Sequence, residues 1–205
     1  MRKRCYLIGL SILLFFSCTR HPFDEQQLQA YVSDADNGLI KEQQVKGLDV
    51  KVMFRPAGLL IAQELNGQPA SEALIDSLKR KYSNHYYFIL NLSKNDKEVL
   101  HSQGNFSDYS ALLQTLSFSM GQYISLTTSS RDTLEMVDYT FDRTYGMSGG
   151  NALMFAFSKE KLKESKEVSF NLDEFGIGTG LLHFEFKRKD LNAVPELATA
   201  QYLKR

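Results

Sequence analysis

The chain shows two kinds of hydrophobic spacing, one typical of strands and one typical of helices. Every second residue over Leu48–Phe54 is apolar, which predicts a strand with one buried face that Pro56 ends. Residues 57–65 are a short apolar run that favours a helix with this proline at its first turn, although a second strand is an alternative. Ser71–Tyr82 has apolar residues at helical spacing behind a serine that can cap the helix.

A further strand and a further helix follow in the middle of the chain. In Tyr86–Leu92 the residues that would face either side of a strand are largely apolar, which predicts a strand at the centre of a sheet. Asp108 can cap a helix whose apolar stripe runs to Met120, and Gly121 ends it.

The last third of the chain consists of strand-like segments separated by turn residues. There are five: Tyr123–Thr128, Leu134–Asp142, Ala152–Ser158, Glu167–Leu172 and Leu181–Lys187. Alternation in the last three predicts an antiparallel meander with one buried face. Early helices and late strands without βαβ alternation predict an α+β fold of mostly antiparallel sheet, with two or three helices packed on one face.

The N-terminus has the pattern of an export signal. Arg2–Arg4 are basic, and Tyr6–Phe16 is an apolar run of 11 residues. As a helix this run is about 16 Å long, roughly half the thickness of the hydrocarbon layer of a bilayer. Phe15–Cys18, with Ser17 directly before the cysteine, resembles the lipobox of bacterial lipoproteins.

This resemblance implies cleavage between Ser17 and Cys18 and lipidation of Cys18 with acyl chains such as palmitate. It also implies a location in the cell envelope, anchored by lipid, and Thr19 after the cysteine favours the outer membrane. The expected organisation is a signal peptide, a lipidated tether and a single α+β domain at residues 1–17, 18–30 and 31–205. Cleavage by the general signal peptidase, or an incidental Cys18, are the alternatives.

Composition narrows the classes of function. The chain has 24 basic and 24 acidic residues, and loss of Arg2–Arg4 with the signal leaves 21 against 24. This mildly acidic balance argues against a nucleic-acid partner. Cys5 and Cys18 are the two cysteines, so the predicted domain has no thiol for a disulfide, a cysteine-ligated metal or thiol catalysis.

One motif suggests catalysis. Gly146–Gly150 fits G-x-S-x-G, and either Asp173 or Glu174 and then His183 follow Ser148 in the order of an α/β-hydrolase triad. That motif requires a helix after the serine, whereas residues 152–157 alternate like a strand. A glycine turn is the simpler interpretation.

Other candidate sites are weaker. No helix follows Gly176-x-Gly178-x-Gly180 to present its N-terminus to a phosphate. The four histidines are not spaced as metal ligands on one element, so neither a metal nor a cofactor is expected.

The expected function is therefore binding. The segments 139–151 and 175–180 resemble uncharacterised envelope lipoproteins of Gram-negative bacteria, which implies no activity. We expect a membrane-anchored module that binds a protein, peptide or glycan partner through residues 143–151 and 173–180, since loops on a rigid sheet commonly carry recognition. The alternatives are a serine hydrolase using Ser148, His183 and Asp173, and a subunit of an envelope assembly.

Overall fold

Five α-helices and ten strands make up the part of the protein that the computed structural model describes, residues 21–160, 162 and 165–204. The helices are α1 (Glu25–Ser33), α2 (Ala57–Leu65), α3 (Glu72–Ser83), α4 (Phe106–Gln114) and α5 (Arg188–Ala193). The strands are β1 (Ile40–Val45), β2 (Leu48–Arg55), β3 (His85–Lys94), β4 (Lys97–Glu98), β5 (Ile124–Thr128), β6 (Thr133–Leu134), β7 (Met136–Asp142), β8 (Asn151–Ser158), β9 (Glu167–Leu172) and β10 (Leu182–Lys187). The predicted α+β class is confirmed.

The strands form two sheets, and every pair of them is antiparallel. The first sheet has the order β1-β2-β3-β8-β7, with β4 paired to the end of β3, and the second has the order β10-β9-β5-β6. All five predicted C-terminal segments form strands, but the second segment is divided into β6 and β7. The segments are shared between the two sheets, so β8, β9 and β10 do not form the predicted continuous meander: β8 lies in the first sheet and β9 and β10 pair in the second. This division lets the apolar face of each sheet bury that of the other.

The core lies between the sheets and is rich in phenylalanine. Phe88 of β3 is fully buried, and its ring centroid lies 5.0 Å from that of Phe186 on β10 and 5.7 Å from that of Phe170 on β9. Phe155 of β8 lies 5.8 Å from Phe170. The predicted inward faces of β8, β9 and β10 are confirmed, and each buried ring contributes about 1.5–3 kcal/mol of transfer free energy.

Helix α1 corrects the predicted end of the tether. Residues 25–30 are helical, and the helix begins with a capping box in which Asp24 and Gln27 bond each other's backbone N–H. Leu28 is fully buried, and a Cβ on Gly58 of α2 would lie 2.9 Å from its Cδ2 atom. Residues 23–30 therefore belong to the folded domain, in which Phe23 pairs with Leu197.

Helix starts were predicted with mixed success. Ser71 caps α3 as expected, because its hydroxyl accepts the N–H of Leu74. Helix α4 starts earlier than predicted: Asn105 is its cap, and the N–H of Asp108 donates to the Asn105 side chain over 2.9 Å. A π-helical turn at Thr115–Ser119 continues the helix.

Candidate functional site

The 143–150 turn joins the neighbouring strands β7 and β8 of the first sheet. Its centre is in the left-handed region, with φ of 53° at Tyr145 and 81° at Gly146. Glycine adopts this region freely, whereas a bulky side chain such as tyrosine does so only when the surrounding contacts impose it. The contacts that hold this turn are therefore the starting point for the site.

A single buried carboxylate supplies those contacts. Glu98, at the end of β4, is 2% exposed. Its Oε1 atom accepts the backbone N–H of Gly146 over 2.7 Å and the hydroxyl of Thr144 over 2.5 Å. Its Oε2 atom accepts the side-chain amide of Asn151 over 3.1 Å. We call Glu98 and its partners, Thr144, Gly146, Ser148, Asn151 and His101, the Glu98 cluster.

Glu98 is held in its ionised form. Burial alone would raise its pKa, but hydrogen bonds from Thr144 and from the backbone N–H groups of Gly146 and Ser148, with a smaller contribution from His101, outweigh it. The pKa of Glu98 is therefore lowered. A buried charge with several donors fixes the position of every group that donates to it.

The hydroxyl of Ser148 belongs to this cluster. Its Oγ atom lies 2.5 Å from the carbonyl oxygen of Gly150, to which it donates, and 2.8 Å from Oγ1 of Thr144. A strand, β8, follows the turn, so the helix that a nucleophile elbow requires is not in this place.

The other two residues of the predicted triad have separate partners. His183 is exposed on β10 of the second sheet, and its Nδ1 atom lies 2.7 Å from Oδ1 of Asn171. Asp173 follows β9 and donates its backbone N–H to the carbonyl oxygen of Tyr123. None of the hydrogen bonds among the described residues joins Ser148 to either of them.

His101 is the imidazole that the sequence did not identify. Its Nδ1 atom lies 3.3 Å from Oε2 of Glu98, whose Oε1 atom lies 3.4 Å from the Oγ atom of Ser148. The carboxylate of Glu98 thus lies between the hydroxyl of Ser148 and the imidazole of His101. In a catalytic triad the imidazole lies between the hydroxyl and the carboxylate. This order suits a structural network better than proton removal from Ser148.

Apolar side chains project from the turn. Tyr145 is 67% exposed and Met147 is 84% exposed. The guanidinium of Arg143 lies 4.9 Å from the ring centroid of Tyr145. Phe106, 82% exposed, lies in the first turn of α4, one turn before Tyr109, whose ring contacts that of His101. Tyr145, Met147 and Phe106 are thus large apolar side chains that are exposed to solvent.

The second predicted contact loop, residues 173–180, is organised differently, around the 174–180 loop that follows Asp173. The carboxylate of Glu174 accepts the backbone N–H groups of three glycines: Gly176 over 2.7 Å, Gly178 over 2.9 Å and Gly180 over 2.6 Å. These bonds, together with one from Ile177, outweigh the effect of burial and lower the pKa of Glu174. The N–H groups that could bind an external anion already bind this carboxylate.

The predictions on metal binding and on the anchor concern different parts of the chain. Among the described residues, no group of three or more His, Cys, Asp or Glu side chains could hold a metal ion. Ser17 and Cys18 lie outside the described residues, so cleavage and lipidation stay predictions. No helix in the described part is long and apolar enough to cross a membrane.

Comparison of the whole chain with family models, curated proteins and solved structures gives no match in any of the three. The function is therefore inferred from the geometry of the site.

Proposed function

We propose that the protein is a lipid-anchored binding module of the cell envelope, which presents the 143–150 turn to a protein partner. One observation carries this proposal: a buried carboxylate holds the turn in a conformation that exposes Tyr145 and Met147. A left-handed tyrosine costs about 1–3 kcal/mol, and such strain is retained where the surrounding structure imposes it, often at binding sites.

Rigidity and composition both favour recognition of a protein. A turn that is already held in place loses little conformational entropy on binding, which leaves more of the contact energy for affinity. Aromatic, methionine and arginine side chains are enriched at protein interfaces, and all three types are present at residues 143–147. The 174–180 loop, whose donors are bonded internally, is the weaker candidate.

The anchor sets where the partner would lie. If Cys18 carries the lipid, four residues separate it from Phe23, which pairs with Leu197 in the folded domain. The five Cα–Cα steps from Cys18 to Phe23 span at most about 18 Å when the chain is fully extended. The domain would thus stay close to the membrane surface, and its partner would be a protein of the same membrane or its periphery.

The anchor is tested by metabolic labelling with an alkyne fatty acid. The wild-type protein should take up the label and partition with membranes, and Cys18→Ser should do neither. A wild-type protein that takes up no label would remove the anchor from the proposal.

The contact surface is tested in cells with a photo-crosslinking residue. Placed at Met147, it should give one discrete adduct, which disappears when Glu98→Gln loosens the turn. The matched position is Leu181, which is also exposed and apolar but follows the 174–180 loop. Equal adducts from both positions, or an adduct that survives Glu98→Gln, would contradict the proposal.

A further inference from the structure

A groove of about 520 Å³ lies at the end of the molecule where β3 begins. Its apolar wall includes the buried side chains of Phe54, Ile61 and Leu197. This volume falls within the range of about 300–1,000 Å³ that is typical of sites for small molecules.

The groove is separate from the Glu98 cluster. His85, the first residue of β3, lines the groove, whereas Ser93 near the other end of β3 pairs with Glu98. These two positions are eight residue steps apart along the strand, a distance of about 26 Å. A ligand in the groove would not contact the 143–150 turn.

Lys159 is a partly buried cation at this groove. Its Nζ atom donates to the carbonyl oxygen of Ser83 over 2.8 Å and lies 4.7 Å from the ring centroid of Tyr86. Neither partner carries a negative charge, and Lys159 is in no ion pair within the described part of the chain. Burial lowers the pKa of Lys159, which reflects the same lack of a compensating charge.

The balance of charge around the groove is positive. Two lysines, Lys79 and Lys159, and one carboxylate, Glu196, line the groove. Their net charge is +1 before His85 is counted. The Nδ1 atom of His85 is buried and has no hydrogen-bond partner among the described residues. The basic side chains that are available to a ligand in the groove are therefore Lys79 and Lys159.

We propose that this groove binds a small carboxylate with an apolar body, whose charged group pairs with Lys159 and Lys79 and whose body covers Phe54, Ile61 and Leu197. One net positive charge matches a monoanion better than the double charge of a phosphate monoester. The apolar wall excludes water from the pair and so strengthens it.

The test is calorimetric titration of the full chain in a non-ionic detergent, with detergent alone as the blank. The probes are phenylalkanoates from benzoate to 6-phenylhexanoate, with the amide of each acid and phenethyl phosphate alongside. At least one acid should bind more tightly than its amide and more tightly than the phosphate. An amide that matches its acid throughout, or a phosphate that exceeds every acid, would overturn the proposal.

Three variants locate the binding. Lys159→Gln should weaken binding of the acid with the highest affinity by about 10- to 100-fold, the usual range for loss of a charge-assisted hydrogen bond. Lys79→Gln, at an exposed position of α3 that should not affect folding, should weaken it by a smaller factor. Lys94→Gln, at the far end of β3, should leave it unchanged. Equal binding by the wild type and both groove variants would place the acid elsewhere and refute the assignment.

Discussion

Two glycine-containing loops of this protein are each built around one glutamate, but they use it in opposite ways. Glu174 binds N–H groups two to six residues ahead of it, so its loop closes on itself. Glu98 binds groups 46 to 53 residues away and fastens the turn after β7 to the end of β4. The first arrangement is local, and the second depends on the whole sheet.

The loops also differ in what they show to solvent. Phe175 and Thr179 of the 174–180 loop are buried, whereas Tyr145 and Met147 of the 143–150 turn are exposed. Glu174 is exposed and Glu98 is buried. A tertiary anchor beneath an exposed apolar surface is what a recognition turn needs, and the predictions below compare the two loops.

The largest expected difference follows from removing each carboxylate. Glu98→Ala removes the acceptor of three hydrogen bonds that are buried or half-buried, from Thr144, Gly146 and Asn151, and should lower the free energy of unfolding by about 3–5 kcal/mol. Glu174→Ala frees N–H groups that water can reach, so its cost should be about 1 kcal/mol. Urea denaturation of both variants measures these values, and equal losses would contradict the distinction between the loops.

A methyl group added to one glycine of each loop gives a smaller contrast. Gly146 and Gly180 both have positive φ, but a Cβ on Gly146 would lie 3.3 Å from the His101 ring, whereas one on Gly180 meets nothing within 4 Å. Gly180→Ala should cost about 1–2 kcal/mol through left-handed strain alone. Gly146→Ala should cost more and should perturb the NMR signals of His101. If Gly180→Ala were the more destabilising, the packing of His101 on the turn would be disproved.

Acid should unfold the protein partly through these glutamates. The pKa of each is lowered in the folded state, so the stabilisation it gives is present above the unfolded value of about 4.3 and is lost as the pH falls through the folded value. Between about pH 5 and 3, the unfolding free energy of Glu98→Gln should therefore fall less steeply than that of the wild type. Glu174→Gln should reduce the slope by less, because solvent screens an exposed group. If the pH dependence of the unfolding free energy were the same in both variants as in the wild type, folding would not favour the ionised form of either glutamate.

The fold was predictable where its signals are local. Ser71 caps α3, and alternation marks β2, β3 and the buried faces of β8 to β10, because each pattern lies within one element. Strand β1 and helix α5 were missed because they are polar. Strand β1 is held by six antiparallel pairs with β2, and α5 begins at Arg188, directly after the predicted strand Leu181–Lys187. Their stability comes from neighbours and not from their own sequence.

The site was predictable only in part, for the same reason. Glycines identified both loops, and the structure shows what each glycine does. Glu98 stands in a polar stretch 46 residues before Thr144, and no spacing rule connects the two. Only the pairing of β3 with both β4 and β8 brings Glu98 to the turn.

The smallest expected effect concerns the two hydroxyls, and it also tests the hydrolase alternative. Ser148 donates to Gly150, and Thr179 lies 3.2 Å from the carbonyl oxygen of Gly180. Ser148→Ala and Thr179→Val should each lower the free energy of unfolding by about 1 kcal/mol, the usual value for one hydrogen bond. Because Glu98 lies between Ser148 and His101, the imidazole does not contact the serine hydroxyl, and a fluorophosphonate probe should label neither the wild type nor Ser148→Ala. Labelling of the wild type that Ser148→Ala abolishes would make the 143–150 turn a catalytic site and would replace recognition as its role.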